Sequence, residues 1–232
     1  MYKFRAVAIL LLLVGGIWAY GKHTKKTKRK MNSPIIGIDV SKHTGVINWE
    51  KIKSQGVDFA YIKSTEGADY LDPRFILNFK EAKDAGIPVG AYHFFRFHRT
   101  GEEQADNFLT QVNLKKLDLP PVVDVEEWGQ YNTAKSADEI TREIKDFIDE
   151  VEDHSSRKVV IYSDKNSYRK YVEGKFKNNR IWICSIGTPP QIDRDWTLWQ
   201  QSHDGKYKGA AGKVDVNLFN GGYKEWKKFM RN

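Results

Sequence analysis

This chain of 232 residues has a single cysteine, Cys184. An intrachain disulfide is therefore impossible, and a metal site built from two or more cysteines is excluded. No cysteine stands near residue 20, which rules out a lipoprotein attachment there. The chain also lacks a glycine-rich phosphate loop, an internal repeat and any low-complexity stretch beyond one basic run. Acids are missing altogether before Pro34. Residues 1–33 carry Lys3, Arg5, Lys22, Lys25, Lys26, Lys28, Arg29 and Lys30, with no Asp or Glu. Those eight account for the whole net charge of +8, because the other 30 Lys and Arg balance all 30 Asp and Glu. A body of zero formal charge argues against the basic face that sequence-independent phosphate binding needs, without excluding a local patch, and no nucleic-acid partner is expected.

What is present suffices for a sizeable core. The 40% hydrophobic content fits one domain of a little under 200 residues plus an N-terminal extension. Seven Trp, eleven Tyr and twelve Phe fill a core or line a sugar site, and composition alone does not choose. Lys3 and Arg5 precede an uncharged apolar stretch, Ala6 to Tyr20, of export-signal length and short for a membrane span. Ala19-Tyr20-Gly21 offers small residues for cleavage after Gly21, and an uncleaved anchor is the alternative. The basic run Lys22–Lys30 opposes translocation in either case. Residues 1–33 thus read as a signal peptide or membrane anchor plus a basic tether. The body, 34–232, is expected to be exported to the cell envelope, either periplasmic or extracellular, as a monomer.

From Pro34 onward, strand-like and helix-like segments alternate. The patterns predict strands at Ile35–Val40, Val57–Lys63, Ile87–Phe95, around Asp124, and at Lys158–Tyr162. Helices are predicted between them at Asn48–Ser54, from Asp72-Pro73 to Ala85, at Thr100–Val112, at Ser136–Glu152 and, briefly, at Asp164–Val172. Ser136 and Glu139 have capping-box spacing. Three more strands follow without helices, at Arg180–Ser185, Thr197–Gln200 and Lys213–Leu218. Five βα units and three further strands predict an α/β fold of one domain, an irregular TIM-like (β/α)5(β)3 barrel.

The apolar runs repeatedly end in acids. In Leu119-Pro-Pro-Val-Val-Asp124-Val-Glu126, alternation along a strand puts Asp124 and Glu126 on one face, close enough to split their ionisation. Two carboxylates of different pKa are what glycoside hydrolysis needs. One such pair also serves as a helix cap or as the partner of a buried Arg, but the pattern recurs. At the strand ends of a barrel stand Asp39, Lys63, Glu66, Tyr92, His93, Asp124, Glu126, Tyr162, Trp182, Trp199, Gln200, Asp215 and Asn217, and the chemistry of such barrels lies at that end.

In order along the chain come Gly37-Ile-Asp39-Val-Ser41, Gly45-Val-Ile-Asn-Trp49, Phe59-Ala-Tyr-Ile-Lys63-Ser-Thr-Glu66-Gly67 and Gly90-Ala-Tyr92-His93-Phe94. Val122-Val-Asp124-Val-Glu126, Ile161-Tyr162-Ser163, Ile181-Trp182-Ile183, Leu198-Trp199-Gln200 and Val214-Asp215-Val-Asn217 follow. This ordered set resembles the glycoside hydrolase family 25 lysozymes, the Chalaropsis-type N-acetylmuramidases. The resemblance implies the same irregular barrel, peptidoglycan glycan strands as substrate and no cofactor or metal. It further implies Glu126 as general acid, Asp124 as its partner, and Asp39 and Asp215 as the rest of an acidic floor. Lys63, Glu66, Tyr92, His93, Tyr162, Trp182, Trp199, Gln200 and Asn217 become substrate-binding candidates. Cys184 stands where the family is expected to carry a small residue. A chitinase-like enzyme also ends a strand in Asp-x-Glu but wants more acids upstream, where this chain has Leu119 and Val122. A non-catalytic glycan-binding barrel is expected to lose the acid, and Glu126 is present.

Overall fold

The computed structural model describes residues 33–129 and 135–231. The expected signal or anchor at 6–20 and the basic tether lie outside these residues. Among the described residues, no helix is long and apolar enough to cross a membrane.

The elements run β1 (Ile36–Val40), α1 (Trp49–Ser54), β2 (Phe59–Glu66), β3 (Tyr70–Leu71), α2 (Phe75–Asp84), β4 (Val89–Phe94), α3 (Gly101–Gln111) and β5 (Val122–Val125). Then come α4 (Ala137–Asp153), β6 (Val160–Asp164), α5 (Lys165–Ser167), β7 (Arg180–Cys184), β8 (Leu198–Gly205), β9 (Val214–Phe219) and α6 (Tyr223–Arg231). Eight strands close a barrel in the order β1-β2-β4-β5-β6-β7-β8-β9, with β9 returning to β1. The irregular barrel expected from the sequence is the fold observed. Three details differ from expectation. β3 adds a short antiparallel strand to β2 outside the barrel. β9 runs antiparallel to both neighbours, whereas the other barrel strands are mutually parallel. A sixth helix, α6, follows the last strand.

Local chemistry sets the helix starts. Ser136 and Glu139 form the capping box their spacing suggests, and Thr100 and Glu103 form another at α3. Asn48 caps α1 by accepting from the Lys51 amide. Along α4, Ile140, Ile144, Phe147, Ile148 and Val151 make one buried stripe against the barrel.

Strand alternation divides the core into two shells. Side chains such as Ile38, Ala60, Ile62, Val123, Val125, Ile161 and Ile183 point outward beneath the helices. Ile35, Phe59, Tyr61, Val122, Val160, Tyr162, Trp182, Leu198 and Phe219 fill the barrel itself. The inner column is aromatic: Tyr61 meets Trp182 at 5.0 Å between ring centroids, and Tyr162 meets Trp182 at 4.9 Å. Two glycines make room for it. A Cβ on Gly37 would lie 2.2 Å from the Phe59 ring, and one on Gly90 would lie 2.2 Å from the Tyr61 ring. Trp226 and Phe229 of α6 plug the end where the parallel strands begin, with Trp226 at 4.9 Å from Phe59 and 5.1 Å from Phe219. Truncating Trp182 or Trp226 to Ala should cost about 3–5 kcal/mol.

Candidate active site

At the opposite end, the barrel opens into a cleft of about 610 Å³. Asp39 from β1, Lys63 and Glu66 from β2, Tyr92 from β4, and Asp124 and Glu126 at the end of β5 all line it, as do Tyr162, Trp182, Gln200 and Asp215. The floor is one hydrogen-bonded unit. Oδ2 of Asp39 accepts from Nε2 of Gln200 (2.9 Å) and Nδ2 of Asn217 (2.7 Å). The Tyr162 hydroxyl donates to Oε1 of Gln200 (2.8 Å), and Nε1 of Trp182 donates to Oδ1 of Asn217 (2.9 Å). Asp39 therefore sits on a rigid bed tied to four other strands. Asp124 contrasts with it. It is only 7% exposed, and its Oδ1 has no partner, although a buried carboxylate oxygen is costly to leave unpaired.

These carboxyls titrate abnormally. Burial pushes Asp39 well above the usual carboxylate range, and the charge of Asp215 adds to the shift. Burial does the same to Asp124, reinforced by Glu126 and opposed by Lys63. Glu126 is pushed up to about 7, chiefly by burial; the neighbouring Tyr162 hydroxyl and the charge of His203 oppose the shift, while Asp164 and Asp215 add to it. A carboxyl of that pKa carries a proton at neutral pH in a substantial fraction of molecules, as a general acid must. A nearby wall carries cations: Glu66 is clasped by Lys63 (2.5 Å to Oε2) and by Nε and Nη2 of Arg96 (2.8 and 2.5 Å to Oε1). Among the described residues, no cluster of three or more His, Cys, Asp or Glu is arranged to hold a metal ion.

The model of the glycosyl hydrolases family 25 matches residues 38–210 of this chain. The chain belongs to that family. Lysozyme M1 of Streptomyces globisporus is 38% identical over 202 residues, which is 82% of this chain and 69% of that protein. Among solved structures, a family 25 glycosyl hydrolase from Bacillus anthracis superposes with a TM-score of 0.79 at 34% identity, covering 89% of this chain and 96% of its own. A bacterial lysozyme from Streptomyces coelicolor gives 0.78 at 35% identity, covering 86% and 96%. The protein is thus a glycoside hydrolase.

Three of the residues expected at the site from the strand pattern do not reach the cleft of this family 25 barrel. His93 is fully buried on the outward side of β4, one residue from the inward Tyr92. Its ring nitrogens pair with Thr65 Oγ1 (2.8 Å) and Gln104 Oε1 (3.1 Å), its ring stacks on Phe147, and burial holds its pKa down to about 3. Trp199 also points outward, donating Nε1–H to the Ser185 carbonyl and packing on Trp196. Asn217 lies beneath the floor, where it holds Asp39 rather than facing solvent. Asp215 arrives from the first half of β9, not from a strand's end, because β9 runs the other way. Nine residues that were not among the site candidates also line the cleft: Ser41, Lys42, His43, Tyr70, Phe94, Arg96, Val122, Trp128 and His203. Phe94 was within reach, since it shares the face of Tyr92. Arg96, Trp128 and His203 lie just beyond predicted strands, where alternation gives no guide.

Proposed function

We propose that the chain is a lysozyme, an N-acetylmuramidase that hydrolyses the β-1,4 bond between N-acetylmuramic acid and N-acetylglucosamine in peptidoglycan. Glu126 is the general acid and Asp124 its assistant. The observation that carries the reading is the juxtaposition of Glu126, with its pKa near 7, and the unpaired Oδ1 of buried Asp124. The lysozymes to which the chain is similar support the substrate class.

In this mechanism the substrate's 2-acetamido N–H donates to Oδ1 of Asp124. That bond favours the charged form of Asp124 and leaves the shared proton on Glu126. The acetamido carbonyl oxygen attacks the anomeric carbon as the glycosidic C–O bond breaks, and the Glu126 proton passes to the leaving oxygen. Water then opens the cyclic intermediate, giving its proton to the Glu126 carboxylate, and the product keeps the β configuration. Asp39 and Asp215 bind the sugar from the floor. Lys63 and Glu66 hold one wall, and Tyr92, Tyr162 and Trp182 shape the pocket.

A wall substrate goes with an exported body, with residues 1–33 as signal or anchor and 34–232 as the catalytic unit. A protein beginning near Asn32 should fold and act on isolated peptidoglycan. The deciding experiment is release of muropeptides from purified peptidoglycan, with product configuration read by NMR early in the reaction. Retained β configuration and inhibition by a thiazoline mimic of the cyclic intermediate support the acetamido route. Inverted product overturns that route in favour of a carboxylate activating water, and no muropeptide release overturns the reading as a whole.

A further inference from the structure

The last helix, α6, carries two opposed stripes. Trp226, Phe229 and Met230 face the barrel, the first two buried in its base. Lys224, Lys227, Lys228 and Arg231 recur at i, i+3, i+4 and i+7 and so share the other face. All four are exposed, and Glu225 is the only acid in the helix. Arg180 adds a fifth cation at its flank, with its guanidinium 5.1 Å from the Phe229 ring centroid. In a body whose formal charge is zero, this gathers four cations on one helix face.

The pole matters as much as the charge. α6 packs on Ile35, on Phe59 at the start of β2 and on Phe219 at the end of β9, so it lies at the end of the barrel away from Asp124 and Glu126. Residues 1–32 are joined to the barrel through Ser33 and Pro34, directly before Ile35 of the same cluster. The segment before Pro34 carries the basic run Lys22–Lys30, so it shares the sign of the α6 stripe.

We propose that the α6 stripe is a docking face for an anionic lipid bilayer, which sets the barrel on the membrane with its cleft facing away. Charge complementarity supplies the attraction. The apolar stretch 6–20 with its flanking cations supplies the reason for lipid rather than another polyanion, since both features suit the same surface. Because the apolar stripe is already spent on the barrel base, contact is electrostatic and lies over the headgroups without insertion. Two linked cationic elements also reinforce each other, as the second binds from a high effective concentration.

The test is co-sedimentation of the full chain with vesicles of phosphatidylcholine, with and without phosphatidylglycerol. The wild type should bind the anionic vesicles, and K224Q/K227Q/K228Q/R231Q should bind them roughly a hundredfold more weakly at low salt, the gap closing as salt rises. Thermal melting and muropeptide release should be unchanged, because no altered residue touches the cleft. K224Q/K228Q serves if the fourfold variant fails to fold, with a loss of about tenfold or more. A charge-matched control, R142Q/K145Q/K206Q/K208Q, removes four exposed cations elsewhere and should lose far less. Equal binding by the α6 variant and the wild type overturns the proposal. So does equal loss in both fourfold variants, which would reduce the effect to net charge. Loss of binding to DNA, to isolated wall polymer or to a second copy, with lipid binding intact, would also overturn it. Muropeptide release is scored separately, so failure of the lysozyme reading is distinguishable from failure of this one.

Discussion

Asp39 and Asp215 are register partners across β1 and β9, so two carboxylates from opposite ends of the sequence meet side by side on the cleft floor. Nδ1 of His203 donates to Oδ1 of Asp215 at 2.8 Å, placing an imidazole beside the pair. Asp215 pushes the pKa of Glu126 up and His203 pushes it down. As the proposed general acid, Glu126 must be protonated to act, so activity should fall as pH rises through its pKa. Asp215→Asn should move the alkaline limb of the kcat/KM profile to lower pH, and His203→Gln should move it higher. Shifts in the same direction would refute the electrostatic assignment.

Glu126→Gln should reduce kcat on peptidoglycan by at least several hundredfold, the scale of general acid help, with KM little changed. Asp124→Asn should also be severe, without accumulation of a glycosyl-enzyme adduct detectable by mass spectrometry. Near-normal turnover by either variant would remove that residue from the mechanism.

The same Glu126→Gln change should stabilise the fold at neutral pH. The folded pKa of about 7 lies above the ordinary 4.5. Below about 4.5 both folded and unfolded chains hold the proton, and Glu126 costs nothing. As pH rises toward 7 the unfolded chain ionises first, and stability is lost. Gln avoids that loss, a gain of about 1–3 kcal/mol at pH 7, or roughly 2–10 °C in Tm. Calorimetry at about pH 4, below both pKa values, should show little difference.

Trp128 is 65% exposed at the rim of the cleft, with its backbone carbonyl near Nη1 of Arg96 (3.4 Å). An exposed indole there has no folding role to explain it, and it suits a sugar face beyond the cleaved bond. Trp128→Ala should raise KM on long glycan strands and leave kcat nearly unchanged, the signature of uniform binding. An unchanged KM would leave the rim tryptophan outside the substrate path.

Much of this architecture was legible because alternation and capping are local. The apolar runs marked the eight barrel strands, the capping box at Ser136 and Glu139 formed as spaced, and Asp39, Asp124, Glu126 and Asp215 converge on one cleft. The misreadings were matters of parity and direction. His93 and Trp199 each sit one residue from an inward side chain, and a single step along a strand reverses the face. Nothing local marks β9 as antiparallel, since direction is set by which neighbours remain to be paired. α6 went unread because its apolar residues are too few to show periodicity; its cationic stripe carries the other half of the pattern. Arg96 and Glu66 are 30 residues apart, and only the barrel makes them a pair.

The closing of the barrel by β9 also sets when the enzyme comes into being. Asn217 and Asp39, which share a hydrogen bond, are separated by 178 residues of chain. Such distant pairings form late in folding, because the intervening loop must be ordered first. A growing chain that has emerged as far as β8 already contains Asp39, Asp124 and Glu126, yet its first strand has no last strand to meet. The floor is assembled only when residues near Asp215 are free to join, so hydrolytic competence arrives with the closed barrel rather than accumulating strand by strand.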